Sequence, residues 1–216
     1  MSRMFTRYGR EITMAVKEGG PSPDYNTRLR AIIQNAKSDN MPKDNIDRAI
    51  KKGTGGGDGA ASYEEITYEG YGPGGAAVIV DVMTDNKNRT VANLKHILAK
   101  HGGRLVAEGS VKWMFATKGQ IILEQTSLND AEELAIIEAG AEDIIKDEEI
   151  KIITPLDKLE EVKNSLLAKN FKVSSSEMVY LAKEKINLKD SDRMIELLDA
   201  LDDDDDVNNI FTNANI

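Results

Sequence analysis

Apolar positions near the N-terminus recur at helical spacing. At about 100° per residue, Met4, Phe5, Tyr8, Ile12, Ala15 and Val16 fall on one face of a helix over residues 3–18. Arg3, Arg7, Arg10 and Lys17 fall on the other. Gly19-Gly20-Pro21 stops this helix, since glycine suits a left-handed cap and proline cannot continue the hydrogen-bond ladder. A second helix is predicted over 26–39 with Leu29, Ile32, Ile33 and Ala36 inward. A third starts at Pro42, placed at the first helical position because its missing donor has no partner there. It buries Ile46, Ala49 and Ile50, turns Arg48, Lys51 and Lys52 outward, and ends at Gly53. The pattern predicts a small basic three-helix bundle, of a size (~60 residues) that is marginally stable alone.

The pattern then changes. Gly53-Thr54-Gly55-Gly56-Gly57-Asp58-Gly59 reads as a linker and domain boundary. Limited proteolysis is expected to cut first within Gly53–Ser62, where glycine is dense and large apolar side chains are missing. First cleavage in the middle of 76–123 would contradict that boundary. Strands are predicted at 63–70 and 76–84, a helix at 90–101, and strands at 111–116 (through Val111, Trp113 and Phe115) and 119–124. A helix at 129–138, strands at 143–146 and 149–154, a helix at 155–169 and a strand at 172–181 follow. A helix at 190–201 and a strand at 207–212 complete the pattern. Strands and helices joined by short hairpins indicate α+β architecture with antiparallel sheets.

Composition narrows the function classes. The chain has 216 residues, room for more than one domain. No apolar run approaches the roughly 18 residues of a membrane helix, and the N-terminus lacks the apolar core of a secretory signal. There is no cysteine, which removes disulfides, thiolate catalysis and cysteine-based zinc sites and fits a reducing cytoplasm. Net charge is −9, unevenly spread. Residues 1–52 hold eleven Lys and Arg against six Asp and Glu, a net of +5, and the remainder carries −14. The basic end suits a polyanion that the acidic end would repel.

Candidate chemistry is sparse. Gly55–Ala60 has the glycine spacing of a dinucleotide loop, but a helix precedes it and a strand follows, so no helix dipole meets a pyrophosphate. Gly70-Tyr71-Gly72-Pro73-Gly74-Gly75 lacks the Lys-Ser/Thr of a phosphate loop and reads as a hairpin turn, with Tyr68 and Tyr71 beside it as possible base-stacking rings. In Asp85-Asn86-Lys87-Asn88-Arg89-Thr90, Thr90 is expected to cap the next helix, whose free amides would join Lys87 and Arg89 in holding a phosphate; a polar capping loop is the plainer alternative. His96 and His101 are five apart on one helix, about 140° of rotation, and form no metal or catalytic pair. Asp202–Asp206 reads as a solvated loop. No catalytic residue, metal ligand or cofactor site is expected.

The string Tyr63-Glu64-Glu65-Ile66-Thr67-Tyr68-Glu69-Gly70-Tyr71-Gly72-Pro73-Gly74-Gly75, the apolar run Ala76–Val82 and Thr84–Thr90 closely resemble the YebC family of bacterial and organellar regulatory proteins. Asn40-Met41-Pro42-Lys43-Asp44-Asn45-Ile46 and Asp206-Val207-Asn208-Asn209-Ile210-Phe211-Thr212-Asn213 match the same family, so the resemblance runs from about Phe5 to the C-terminus. It implies three domains: a basic helical domain with linker (1–57), a discontinuous α+β domain (58–128 with 187–216) and an inserted acidic α+β domain (129–186). It implies a non-enzymatic, cytoplasmic DNA-binding regulator of transcription. The alternatives are a ribosome-associated, RNA-binding translation factor, as in the family's mitochondrial activator of cytochrome c oxidase, and a protein-interaction adaptor. Members of the family typically begin some twenty residues earlier, with a lysine-rich stretch that holds much of the family's positive charge. Charge and resemblance together nominate Arg3, Arg7, Arg10, Lys43, Arg48, Lys51, Lys52, Lys87 and Arg89 as contacts to nucleic acid, with no membrane partner and a monomer favoured.

Overall fold

The N-terminal apolar stripes close on one another as their periodicity requires. In the computed structural model, which describes residues 3–55 and 63–216, α1 (Arg3–Gly19), α2 (Thr27–Ser38) and α3 (Lys43–Gly53) enclose Ile12, Ala15, Val16, Leu29, Ile33, Ala36, Ile46 and Ala49. Part of the glycine-rich linker, 56–62, lies outside the described residues. Asn26 fastens the first two helices. Its side-chain oxygen accepts from the Leu29 amide at 2.9 Å, capping α2, and its Nδ2 donates to the carbonyls of Ala15 at 2.7 Å and Gly20 at 2.9 Å. Gly53 allows α3 to touch α1: a Cβ there would lie 2.6 Å from Cβ of Val16. Pro42 stands one place before the expected position. It is the cap residue, with φ −59° and ψ 139°, because its ring already fixes the extended entry to the helix.

Along the remaining chain follow β1 (Glu64–Tyr71), β2 (Ala77–Thr84), α4 (Lys87–Lys100), β3 (Arg104–Val106), β4 (Phe115–Leu123), α5 (Asp130–Glu138), β5 (Asp143–Lys146) and β6 (Ile150–Pro155). Then come α6 (Leu159–Ala168), β7 (Val173–Ala182), β8 (Ile186–Asn187), α7 (Asp192–Asp202), β9 (Val207–Thr212) and β10 (Ala214–Asn215). The chain divides into two compact units, Met1–Phe115 with Ala182–Ile216, and Ala116–Leu181.

In the first unit an antiparallel sheet has the order β3-β1-β2-β9. The β1–β2 turn uses positive φ at Gly74 (67°) and Gly75 (80°), as its glycines suggest. Register sets Ile66 against Val82 and Tyr68 against Val80. This places them on the face where Val78, Val80 and Val82 meet Leu94 and Leu98 of α4 and Met194, Leu197 and Leu201 of α7. Period-two alternation sends Thr67 and Glu69 to the opposite face. β8 and β10 form a short parallel pair.

The second unit has a sheet in the order β5-β6-β4-β7. Ile121, Leu123, Ile150 and Ile152 from its strands pack with Ile136 of α5 and Val162 and Leu166 of α6. The chain is thus an α+β protein with an N-terminal helical region and antiparallel sheets.

Two expectations are corrected. The strand expected at 111–116 is a 3-10 turn, Lys112–Met114, leading into one strand, Phe115–Leu123. That strand pairs with β6, from Lys118 opposite Pro155 to Leu123 opposite Ile150. The helix expected at 90–101 begins at Lys87, since Asn86 rather than Thr90 caps it by accepting from the Arg89 amide at 3.1 Å.

Candidate nucleic-acid interface

The expected phosphate site at the start of α4 is already filled by the protein's own carboxylate. Thr90 points inward, and its hydroxyl donates to Oδ2 of Asp206 at 2.8 Å. Thr84 adds a bond at 3.2 Å, and Arg89 Nη2 donates to both carboxylate oxygens at 2.9 and 3.1 Å. From α1, Arg10 Nη1 reaches Oδ1 of Asp206 at 3.3 Å, the Met83 carbonyl at 3.3 Å and the Asp205 carbonyl. The Asp206 backbone also joins the sheet, accepting from the Met83 amide at 2.8 Å. Asp206 is only 4 % exposed, whereas Asp202, Asp203 and Asp205 are exposed, so the run is solvated only before its last member. Burial would raise the Asp206 carboxyl; the hydrogen bonds from Arg89 and Thr90, with the charges of Arg89 and Arg10, outweigh it and hold the group below the usual Asp range. The hub fixes α1 against the sheet.

This changes the reading of the arginine stripe. Arg10 is internal, and Arg7 donates to Oδ1 of Asn209 at 3.0 Å while pairing with Glu11 at 3.6 Å. Lys87 pairs with Glu64 at 2.5 Å, and Lys52 lies 5.1 Å from the Tyr63 ring centre with its amine 3.2 Å from the phenol oxygen. The Arg3 side chain lies outside what the structure describes. Lys43, Arg48 and Lys51 of α3 are exposed and have no ion partner among the described residues. A cleft of about 650 Å³ beside the hub is lined by Arg10, Tyr63, Arg89, Asn93, Asp85 and Asp203–Asp206. Its carboxylates outnumber its guanidinium groups, which repels a phosphate chain.

A second buried carboxylate organises the other face of the sheet. Glu69, 2 % exposed, accepts from the amides of Gly109 (2.6 Å), Val111 (2.6 Å) and Lys112 (3.0 Å). Burial alone would raise its carboxyl, but these three donors prevail and hold it low. The segment so fixed presents Trp113, the only tryptophan of the chain, with 65 % of its surface exposed. Tyr71 has Arg104 stacked 5.2 Å from its ring centre, and Tyr68 packs against the core. Of the residues with aromatic rings near these turns, Trp113 is therefore the accessible one.

His101 Nδ1 stands 4.0 Å from Glu196, and His96 is exposed. Among the described residues no group of three or more His, Asp or Glu is arranged to hold a metal, and no helix is long and apolar enough to cross a membrane.

Asp206 and Glu69 escape sequence reasoning because one hides in an acidic run and the other in a strand that reads as ordinary alternation. The available signal for Glu69 was its place directly before Gly70 in the first hairpin strand, on the face away from Ile66 and Tyr68.

A basic helical bundle is held by the buried Arg10–Asp206 ion pair to an antiparallel α+β body. Residues 1–56 match the TACO1/YebC protein N-terminal domain, and residues 63–214 match the TACO1/YebC second and third domain. The chain belongs to the TACO1/YebC family. A relative from Desulfosudis oleivorans, named "Probable transcriptional regulatory protein", is 47 % identical over 99 % of this chain and 88 % of its own length. One of the same name from Geotalea uraniireducens is also 47 % identical, over 99 % of this chain and 87 % of its own length. A crystal structure of a conserved hypothetical protein from Aquifex aeolicus is similar with a TM-score of 0.90 at 40 % identity, covering 99 % of this chain and 89 % of that one.

Proposed function

We propose that this protein is a non-enzymatic regulator of gene expression that contacts nucleic acid through phosphates. The observation that carries the reading is the exposure of Lys43, Arg48 and Lys51 on α3, none of which has an ion partner among the described residues, in a region whose charge is opposite to that of the rest. The names of the relatives, probable transcriptional regulatory proteins, point the same way. Asp44 and Asp47 share α3, so the basic surplus is modest and binding should be weak and salt-labile. The division into helical, discontinuous and inserted domains is part of this proposal, with the helical domain as the nucleic-acid module and a cytoplasmic site of action.

Each phosphate neutralised releases counterions, so log K is expected to fall with log salt by about 0.7–0.9 per contact. Replacing Arg48 and Lys51 by glutamine should weaken binding and reduce the slope by about one to two units. Lys158→Gln with Lys163→Gln, in the acidic unit, should change neither. Equal weakening by both pairs, or a wild-type protein without salt-dependent affinity for DNA or RNA, would defeat the reading. Arg7 and Arg10 are unsuitable for this test, because their loss would also disturb the attachment of α1 to the sheet.

A further inference from the structure

Trp113 is the residue whose placement the fold leaves unexplained. Tryptophan is on average highly buried, and it is enriched at interfaces because it joins a large apolar ring to a polar N–H. Its presentation is fixed on several sides. The indole Nε1 donates to the Ser110 carbonyl at 3.0 Å, which sets the ring direction. The Met114 amide closes the turn on the Val111 carbonyl at 2.9 Å. The Trp113 carbonyl accepts from Lys183 Nζ at 2.8 Å, and the Lys183 amide donates to the Met114 carbonyl at 2.9 Å. Beneath the turn, buried Glu69 holds the amides of Val111 and Lys112. A mobile surface loop needs none of these bonds; a ring held ready for a flat ligand needs its orientation fixed beforehand.

The charges around the ring select the ligand. Exposed Lys183 is hydrogen-bonded to the Trp113 carbonyl, and exposed Lys185 follows two residues on, with Glu184 between them; the charge of Lys112 is engaged by Glu69 and Asp81. These cations lie in a chain of net charge −9. An aromatic face beside positive charge is the arrangement that receives unstacked bases while the cations meet the phosphates. A duplex hides its base faces and offers nothing to such a ring. We propose that the Trp113 turn is a stacking platform for an unpaired base of single-stranded nucleic acid. The inference rests on the nucleic-acid reading above and names a ligand class and a site for it.

Trp113 is the only tryptophan, so its emission reports the site directly. The full-length protein would be titrated with a short oligouridylate, an oligothymidylate of equal length, a duplex of equal length, and heparin as a polyanion without bases. Both single strands should quench the emission saturably, while duplex and heparin should bind with little quenching. The tighter of the two strands identifies RNA or DNA as the source of the base. Both variants lack that emission, so their binding is followed by the anisotropy of a dye-labelled oligonucleotide: Trp113→Ala should weaken single-strand binding by about tenfold or more, and Trp113→Phe should restore most of it. Neither change should alter the salt slope, because the phosphate contacts remain. The ring is exposed, so folding should be retained, and thermal melting checks this. Wild-type binding that is salt-dependent but unchanged in Trp113→Ala overturns the platform and leaves the regulator reading intact; a partner protein would then be the occupant to pursue. Equal weakening for single strand and duplex also overturns it. A wild-type protein that binds no polyanion defeats both.

Discussion

Asp206→Asn is expected to destabilise the protein by about 3–5 kcal/mol, the range for a buried ion pair that loses one partner. The Arg10 side chain is only 12 % exposed and has no alternative carboxylate of comparable geometry in the hub. Asparagine keeps the shape but loses the charge, and its amide would face donors from Arg89 and Thr90. Arg89→Gln should have a smaller effect, under about 1 kcal/mol, since that guanidinium is half exposed and can return to water. The pH dependence has a definite sign. The folded-state Asp206 carboxyl is held below its ordinary value, so the unfolded chain binds the proton more readily. Its contribution is therefore complete above about pH 4, the ordinary aspartate value, and is lost as pH falls through the lower folded value. Urea midpoints followed by circular dichroism from neutral to acid pH should show a steep decline in the wild type and a flatter one in Asp206→Asn. Equal midpoints for the two proteins at neutral pH would show that the hub is not a source of stability.

Glu69→Gln is the second change with a large expected effect. Three backbone donors converge on the native carboxylate, and an isosteric amide can satisfy them only in part. One buried donor left without an acceptor costs about 1–3 kcal/mol, and the weakening of charge-assisted bonds adds to this, so a loss of about 2–3 kcal/mol is expected. The damage should be felt at Trp113. Its emission anisotropy should fall as the turn loosens, even at temperatures where helix content is unchanged. An intact melting temperature with unaltered Trp113 anisotropy would show that the Val111–Lys112 amides find other acceptors. Glu69 is also held low, so its contribution has the same sign with pH as that of Asp206. Acid should therefore weaken both attachments together.

Much of the fold is legible from periodicity. The three N-terminal helices, the β1–β2 hairpin and the alternation of strands and helices beyond it follow from spacing of apolar residues and from Gly and Pro punctuation. Where the reading slips, a polar group has found a distant partner. Thr90 looks like a cap because threonine usually is one; the native cap is Asn86 because Thr90 is drawn to Asp206, 116 positions away. Trp113 looks like part of a strand because aromatic and β-branched residues alternate there. The backbone turns instead at that point because Glu69, from another strand, captures its amides.

The candidate interface divides in the same way. Composition places the positive charge in residues 1–52, and helical spacing turns Arg48 and Lys51 outward, as found. Spacing equally puts Arg7 and Arg10 opposite the apolar face of α1, and that too is correct within the helix. What one helix cannot disclose is which surface lies beyond its polar face. There Asn209, Asp206 and the Met83 carbonyl receive these arginines, converting an apparent phosphate stripe into an internal attachment. The sequence by itself determined the elements, their buried faces and the sign of charge of each region, because these depend on neighbours within a few turns or along one strand. Only the tertiary structure decided which charges remain available to a partner. Pairing depends on atoms brought within about 3 Å from positions far apart in the chain, and local spacing carries no record of those meetings.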